Sequence, residues 1–175
     1  MRRGRDSVTS GTGEFPPTGS DQRVRWLYAY WQRKHPAAGC LPGRQHIDPL
    51  DFPQLLRWVW LADVQVVPLR FKFRLIGSEH VTLFGKDYTG HWLDEVLPAV
   101  AGSPFQAGLE AVAREARPYY ERSASYFRYR AKDRAIPRPT APERLLLPLA
   151  RDGRTVDMIL ALTIPHPAPP QPELG

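Results

Sequence analysis

The chain holds a single cysteine, Cys40, in 175 residues. An internal disulfide and a cysteine-based metal cluster are thereby excluded. It contains no apolar run long enough to span a membrane. The basic start, Met1-Arg2-Arg3-Gly4-Arg5-Asp6, is followed by no apolar stretch of the kind a signal peptide carries, so a cytoplasmic location is expected. Catalytic patterns are lacking as well. The histidines, His35, His46, His80, His91 and His166, fall in no H-E-x-x-H arrangement, and there is neither a Walker loop nor a nucleophile elbow. Glu79 with His80, and Asp94 with Glu95, are adjacent pairs, and neighbours on a helix do not share a face. The chain is read as a non-enzyme without catalytic or metal-ligating residues.

Hydrophobic residues make up 42% of the chain, enough for the core of one domain with tails. The net charge of +6 and a pI near 9.8 leave room for an acidic partner. The basic residues are spread over most of the chain and no nucleic-acid-binding motif accompanies them. They read as a solvated surface, and nucleic acid is not expected as a partner.

Residues 1–20 are Gly, Ser, Thr, Pro and Arg with little to bury, and are expected to be disordered. Asp21 can cap a helix running to about Lys34. Val24, Leu27, Tyr28 and Trp31 form its apolar face. Trp26 and Tyr30 lie off that face and offer a surface to a second subunit or a partner. After a loop over 35–46, Asp48-Pro49 reads as a helix start. Trp58 to Val67 reads as the first strand.

The stretch 71–97 is the most informative. Phe71, Phe73 and Leu75 alternate with Lys72 and Arg74, the period of a half-buried strand. Gly77 breaks it. Ser78 can cap a short helix ending at Gly85, Asp87-Tyr88-Thr89-Gly90 is a turn, and Trp92, Leu93, Val96 and Leu97 recur at helical spacing. Further on, Ser103-Pro104-Phe105-Gln106 opens a helix that Pro118 stops. Tyr119 to Tyr129 is an aromatic strand, and residues 131–142 form a long hairpin loop. Leu145 to Leu149 is a buried strand in which Pro148 marks an edge or bulge. Asp152-Gly153 turns the chain into a last strand, Val156 to Ile164. The proline-rich tail, 165–175, should be extended or disordered.

The order Phe73-Arg74-Leu75-Ile76-Gly77-Ser78, then Leu83-Phe84-Gly85-Lys86-Asp87-Tyr88-Thr89-Gly90, resembles the PAS domain in its small stand-alone bacterial form. Ile47-Asp48-Pro49 upstream and Arg144-Leu145-Leu146-Leu147-Pro148-Leu149 downstream extend the likeness from about Tyr28 to about Ile164. The chain departs from the family at Arg57-Trp58, where Leu-Pro is more usual.

The resemblance implies an α+β, PAS-like domain over 21–164. It would have about five antiparallel strands flanked by short helices, with an N-terminal amphipathic helix. A pocket between sheet and helices would be lined by Phe73, Leu75, Phe84, Trp92, Leu109, Tyr126 and Leu147. Those residue types equally suit a filled core. Haem-binding members place an axial histidine near this pocket, and His80 or His91 could stand there, although a surface or rim histidine is the preferred reading. Flavin photochemistry is excluded, because Cys40 lies in Ala-Gly-Cys-Leu-Pro, far from the motif it requires. No cofactor is assigned.

The resemblance also implies a homodimer through the N-terminal helix, at Trp26 and Tyr30. The function expected is a non-enzymatic sensory or regulatory module that binds a small ligand or relays a signal to a protein partner. The alternatives are a protein-interaction adaptor with a filled core, and an electrostatic binder of membrane or nucleic-acid surfaces.

Overall fold

The Leu145–Leu149 and Ile159–Leu162 runs are apolar at successive positions, so their strands are buried on both faces rather than one. A computed structural model describes residues 7–9, 14–122, 130–131, 134–135 and 140–167. Its strands are β1 (Ser7–Thr9), β2 (Val59–Gln65), β3 (Arg70–Ile76), β4 (Tyr119–Arg122), β5 (Arg130–Ala131), β6 (Arg134–Ala135), β7 (Thr140–Leu149) and β8 (Met158–Pro167). Its α-helices are α1 (Gln22–Arg33), α2 (Ser78–Phe84), α3 (Leu93–Val96) and α4 (Pro104–Glu115). One antiparallel sheet has the order β1-β4-β7-β8-β2-β3, and β5 with β6 forms a separate small hairpin. The expected five strands are all present, joined by the three-residue β1.

Residues of β7 and β8 alternate between two cores. Leu145, Leu147, Leu160, Leu162 and Ile164 face α1, on what we call the outer face. Leu146, Ile159 and Ala161 face α2, α3 and α4, on the inner face.

Asp21 caps α1 as the sequence suggests, accepting the Arg23 backbone N–H at 2.8 Å. The Arg23 guanidinium grips the same carboxylate through two nitrogens and holds its pKa down at about 2. The buried positions of α1 are Val24, Leu27, Tyr30 and Trp31. Tyr30 therefore belongs to the core, which corrects its assignment to an exposed partner surface. The 49–58 segment wraps the far flank of the helix. There Phe52 meets the Tyr30 ring at 5.1 Å and Asp51 accepts its hydroxyl at 2.9 Å. Trp26 is half-buried, stacked on Tyr30 at 5.5 Å.

Trp31 explains Pro148. Strand β4 stops pairing at Tyr119 opposite Leu146, so Pro148 lies beyond the end of its neighbour and forfeits no ladder bond. Its carbonyl accepts the buried Trp31 indole N–H at 3.0 Å.

Strand β3 holds a second correction. The pairing with β2 shifts register between Leu61 and Ala62, so that Phe73 faces Ala62 but Leu75 faces Leu61. A one-residue bulge turns every later side chain to the opposite face. Leu75 points to the outer side, 43% exposed, and Ile76 takes the inner position.

Beyond β3, the turn after α2 covers the sheet edge. Gly90 N–H donates to Phe73 O at 2.7 Å, and Phe73 N–H donates to His91 O at 2.9 Å. Gly85 and Gly90 take the left-handed backbone that this path needs. Ser78 is the first residue of α2, and Gly77 holds the cap position.

Parts of the expected tails are ordered. β1 pairs with β4, and Phe15 packs edge-on against Tyr28 at 5.0 Å. β8 continues to Pro167, and residues 168–175 lie outside the described ones. The Tyr119–Tyr129 strand is described to Arg122, with its remainder outside the described residues. Among the described residues no helix is long and apolar enough to cross a membrane.

The run into β2 is a 3-10 turn, Pro53–Trp58, that lies directly against Gly77. Gly77 N–H donates to Val59 O at 2.8 Å, and a Cβ on Gly77 would overlap the backbone carbonyls of Leu56 and Arg57. Backbone cannot swing aside as a side chain can. Gly77→Ala is therefore expected to cost about 1–3 kcal/mol, read as a lowered midpoint in urea unfolding. An unchanged midpoint would disprove this packing.

Candidate functional site on the inner face of the sheet

Successive residues of a strand point to opposite faces, so Glu143 and Arg144 cannot pair with each other. Each finds its partners on neighbouring strands. Arg144 enters the inner core beside Glu121, its cross-strand partner on β4, and the two form an ion pair. Both side chains are nearly sealed from solvent, 4% and 6% exposed. The Arg144 guanidinium also sits over the Phe105 ring of α4, 4.5 Å from its centroid.

More polar groups converge on this pair. Tyr119 OH donates to Glu121 at 3.4 Å. Burial, then the Glu121 charge, pushes the Tyr119 phenol up to about 12. Across the sheet, Thr163 stands opposite Arg144 on β8 and accepts the Trp60 indole N–H at 3.0 Å. His80, on α2, is buried and donates its Nε2–H to Trp58 O at 2.8 Å. Burial, opposed by that hydrogen bond and reinforced by the Arg144 charge, lowers its pKa. The inner face is thus an aromatic and aliphatic surface crossed by a short row of satisfied polar groups.

Glu143, on the outer face, is a second hub. It accepts Asp21 N–H at 2.7 Å and Tyr120 OH at 3.2 Å, and lies 2.9 Å from His166 Nε2. The start of α1, strand β4 and the end of β8 meet on this one carboxylate.

The sequence-proposed pocket residues divide. Phe73 and Leu109 are buried together in the inner core, and Phe84 packs against them, half-buried, with its ring 6.3 Å from His80. Leu147 points into the outer core, because it alternates with Leu146. Leu75 is turned outward by the bulge. Trp92 lies at the β3 edge beneath Arg70 at 4.2 Å and Lys72 at 5.6 Å. Tyr126 lies outside the described residues. Of the two candidate haem ligands, His91 is exposed and His80 is engaged by a backbone carbonyl.

A cleft of about 120 Å³ opens at the far end of the inner layer, over Leu69, Phe71, Leu93 and Val100 with Arg70 and Gln106 at its rim. It is smaller than the cavities that hold cofactors.

The sequence reading missed Arg144, Glu121, Tyr119, Trp60 and Thr163. The available signal was the pair Glu143-Arg144 within an apolar strand, since a charge buried in a central strand needs a cross-strand partner.

The PAS domain profile matches residues 20–164. The chain belongs to the PAS domain family. This PAS domain matches no curated protein. A solved structure described as "Structure of an RNA-binding Light-Oxygen-Voltage Receptor" is similar at 15% identity with a TM-score of 0.46. The match covers 93% of this chain and 38% of that receptor, so the chain spans little more than a third of its length.

Two outcomes follow from the inner site. Arg144→Met strands the Glu121 carboxylate in the core and should cost about 3–5 kcal/mol in urea unfolding. Adding Glu121→Gln, which keeps an acceptor for Tyr119, should recover a large part of that loss. A double variant as unstable as the single one would show that the ion pair is not what matters.

His80 is held neutral, so the unfolded chain takes up a proton that the folded one refuses. Stability should fall as pH drops below the unfolded value of 6.5, and the loss should continue down to the lowered folded value. His80→Gln should flatten that part of the pH–stability curve.

Proposed function

We propose that the chain is a regulatory PAS module acting by binding rather than catalysis, and that its inner face takes a small ligand. The observation that supports this most is the convergence of Arg144, Glu121, Tyr119 and the Trp60–Thr163 pair beneath Phe105 and Leu109. A mostly apolar surface with a few convergent polar groups is the usual make-up of a small-molecule site. Arg144 is the residue we expect to touch the ligand, and Phe73, Phe84 and Leu109 supply apolar contact.

The next residue of the same strand, Glu143, holds the start of α1 from the other face. A shift of β7 caused at Arg144 would thus be felt at α1 without passing through any loop. The half-buried aromatics Trp26 and Tyr28 make the α1 flank our choice for contact with a signalling protein or a second copy. A cytoplasmic location belongs to the same proposal.

A second reading is a protein-interaction adaptor with a filled inner core. Full burial of Leu109, Val112, Leu146 and Ile159 favours it. Native mass spectrometry of the full chain separates the two. A small molecule released on denaturation supports the sensor. Arg144→Lys, with its fold verified by circular dichroism, should then lower its affinity about tenfold, because an ammonium cannot replace the guanidinium fork. A bare chain that gains no thermal stability from a metabolite library would overturn the sensor and leave the adaptor.

A further inference from the structure

The β2–β3 connection departs from the usual composition of a turn. The ladder closes at Gln65 opposite Arg70, which leaves Val66, Val67, Pro68 and Leu69 as the turn. Turns favour Gly, Pro, Asn, Asp and Ser, and apart from Pro68 this one is made of large aliphatic residues. Val66 is 61% exposed and Val67 86%, the highest value of any large hydrophobic side chain among the described residues. The tip is also fixed in shape. Gln65 Nε2 donates to the carbonyls of Val67 and Pro68, both at 3.3 Å, and so ties the turn back to its own strand. An apolar tip held in one shape loses little freedom on binding.

The tip adjoins a hole. Leu69 and Arg70, which follow Val67 and Pro68, line the cleft of about 120 Å³ whose floor is Phe71, Leu93 and Val100. An apolar cavity of about 150 Å³ holds a benzene molecule. The cleft therefore has room for one side chain, and a valine is small enough to enter it. Knob and hole belong to one hairpin.

The charges at the rim decide what partner fits. Arg70 gives its Nε and Nη2 to Asp94, each at 3.0 Å, and Nη2 also to Glu95 at 2.8 Å. Beside them Lys72 lies over the same Trp92 ring as Arg70. Two cations thus stand against two carboxylates. A symmetric contact brings a patch against its own copy, so a patch of one sign would repel itself. This patch is balanced, and a strongly acidic or basic partner would find no counter-charge here.

We propose that the tip and the cleft form the contact between two copies of this chain. Val67 of one copy enters the cleft of the other, and the exchange is mutual about a two-fold axis. The contact goes beyond the regulatory module proposed above. Of the two occupants named for the α1 flank, it leaves the signalling protein. A single anchor exchanged twice makes a small interface, so a weak dimer is expected.

Sedimentation velocity of the full chain over a dilution series tests this. The chain should pass from monomer to dimer as concentration rises. Val67→Asp, at an exposed position, should weaken dimerisation about tenfold or more while the circular dichroism stays unchanged. Ala101→Phe fills the cleft from its exposed rim and should do the same. The two variants mixed should associate better than either alone, because the intact Val67 of one still meets the open cleft of the other. Trp26→Gln, on the α1 flank, should leave dimerisation as it is.

A monomer at every concentration overturns the proposal. So does a dimer that survives Val67→Asp, or one that Trp26→Gln abolishes, which would seat the second copy on α1. A mixture no better than its two components overturns the exchange. Species that keep growing with concentration do so too, since an exchange that fails to close builds filaments. Should Ala101→Phe not fold, Val67→Asp decides by itself. None of these measurements involves a ligand, so retention of a small molecule on the inner face is judged separately.

Discussion

Two strands buried on both faces set the terms for everything around them. β7 and β8 present Leu145, Leu147, Leu160 and Leu162 to one side, and Leu146, Ile159 and Ala161 to the other. Neither face can be left to water, because apolar burial is the main favourable term in folding. One helix, α1, closes the outer face with Val24, Leu27 and Trp31. The inner face is closed by α2, α3 and α4, and α4, as long as α1, brings Phe105, Leu109 and Val112 onto the sheet. The candidate site lies on the face closed by three helices.

That same alternation makes residues 143 and 144 a point of contact between the two layers. Arg144 needs an anion on the inner face and Glu121 supplies it. Glu143 needs donors on the outer face and takes them from Asp21, Tyr120 and His166. A buried charge is tolerated only when such partners are in place, and breaking the set costs more than the pair contributes. Elements far apart in sequence are thereby held in a fixed relation. The start of α1 and the end of β8 are joined through one carboxylate, and the inner site lies one residue away.

Much of the architecture was legible in residue order. The caps at Asp21 and Ser103, the glycine turn through Gly90 and the strand alternation of Phe71 and Phe73 each follow from a local rule, and each was found where those rules put it. The family likeness, carried by Phe73–Ser78 and Leu83–Gly90, also lies within short stretches. Pairing decided the rest. The bulge opposite Leu61 and Ala62 turned Leu75 outward, and nothing in the Phe-Lys-Phe-Arg-Leu pattern foretells an inserted residue. Tyr30 became core because the 49–58 segment wraps α1, a contact between elements that helical periodicity does not encode. Leu147 and Arg144 took their faces from the register of β7 against β4 and β8. The sequence by itself determined which segments form the main strands and helices, because these depend on interactions within a few residues. Which face each side chain occupies, and which buried charges meet, was decided only by strand register and helix docking, because those join residues that the chain alone leaves far apart.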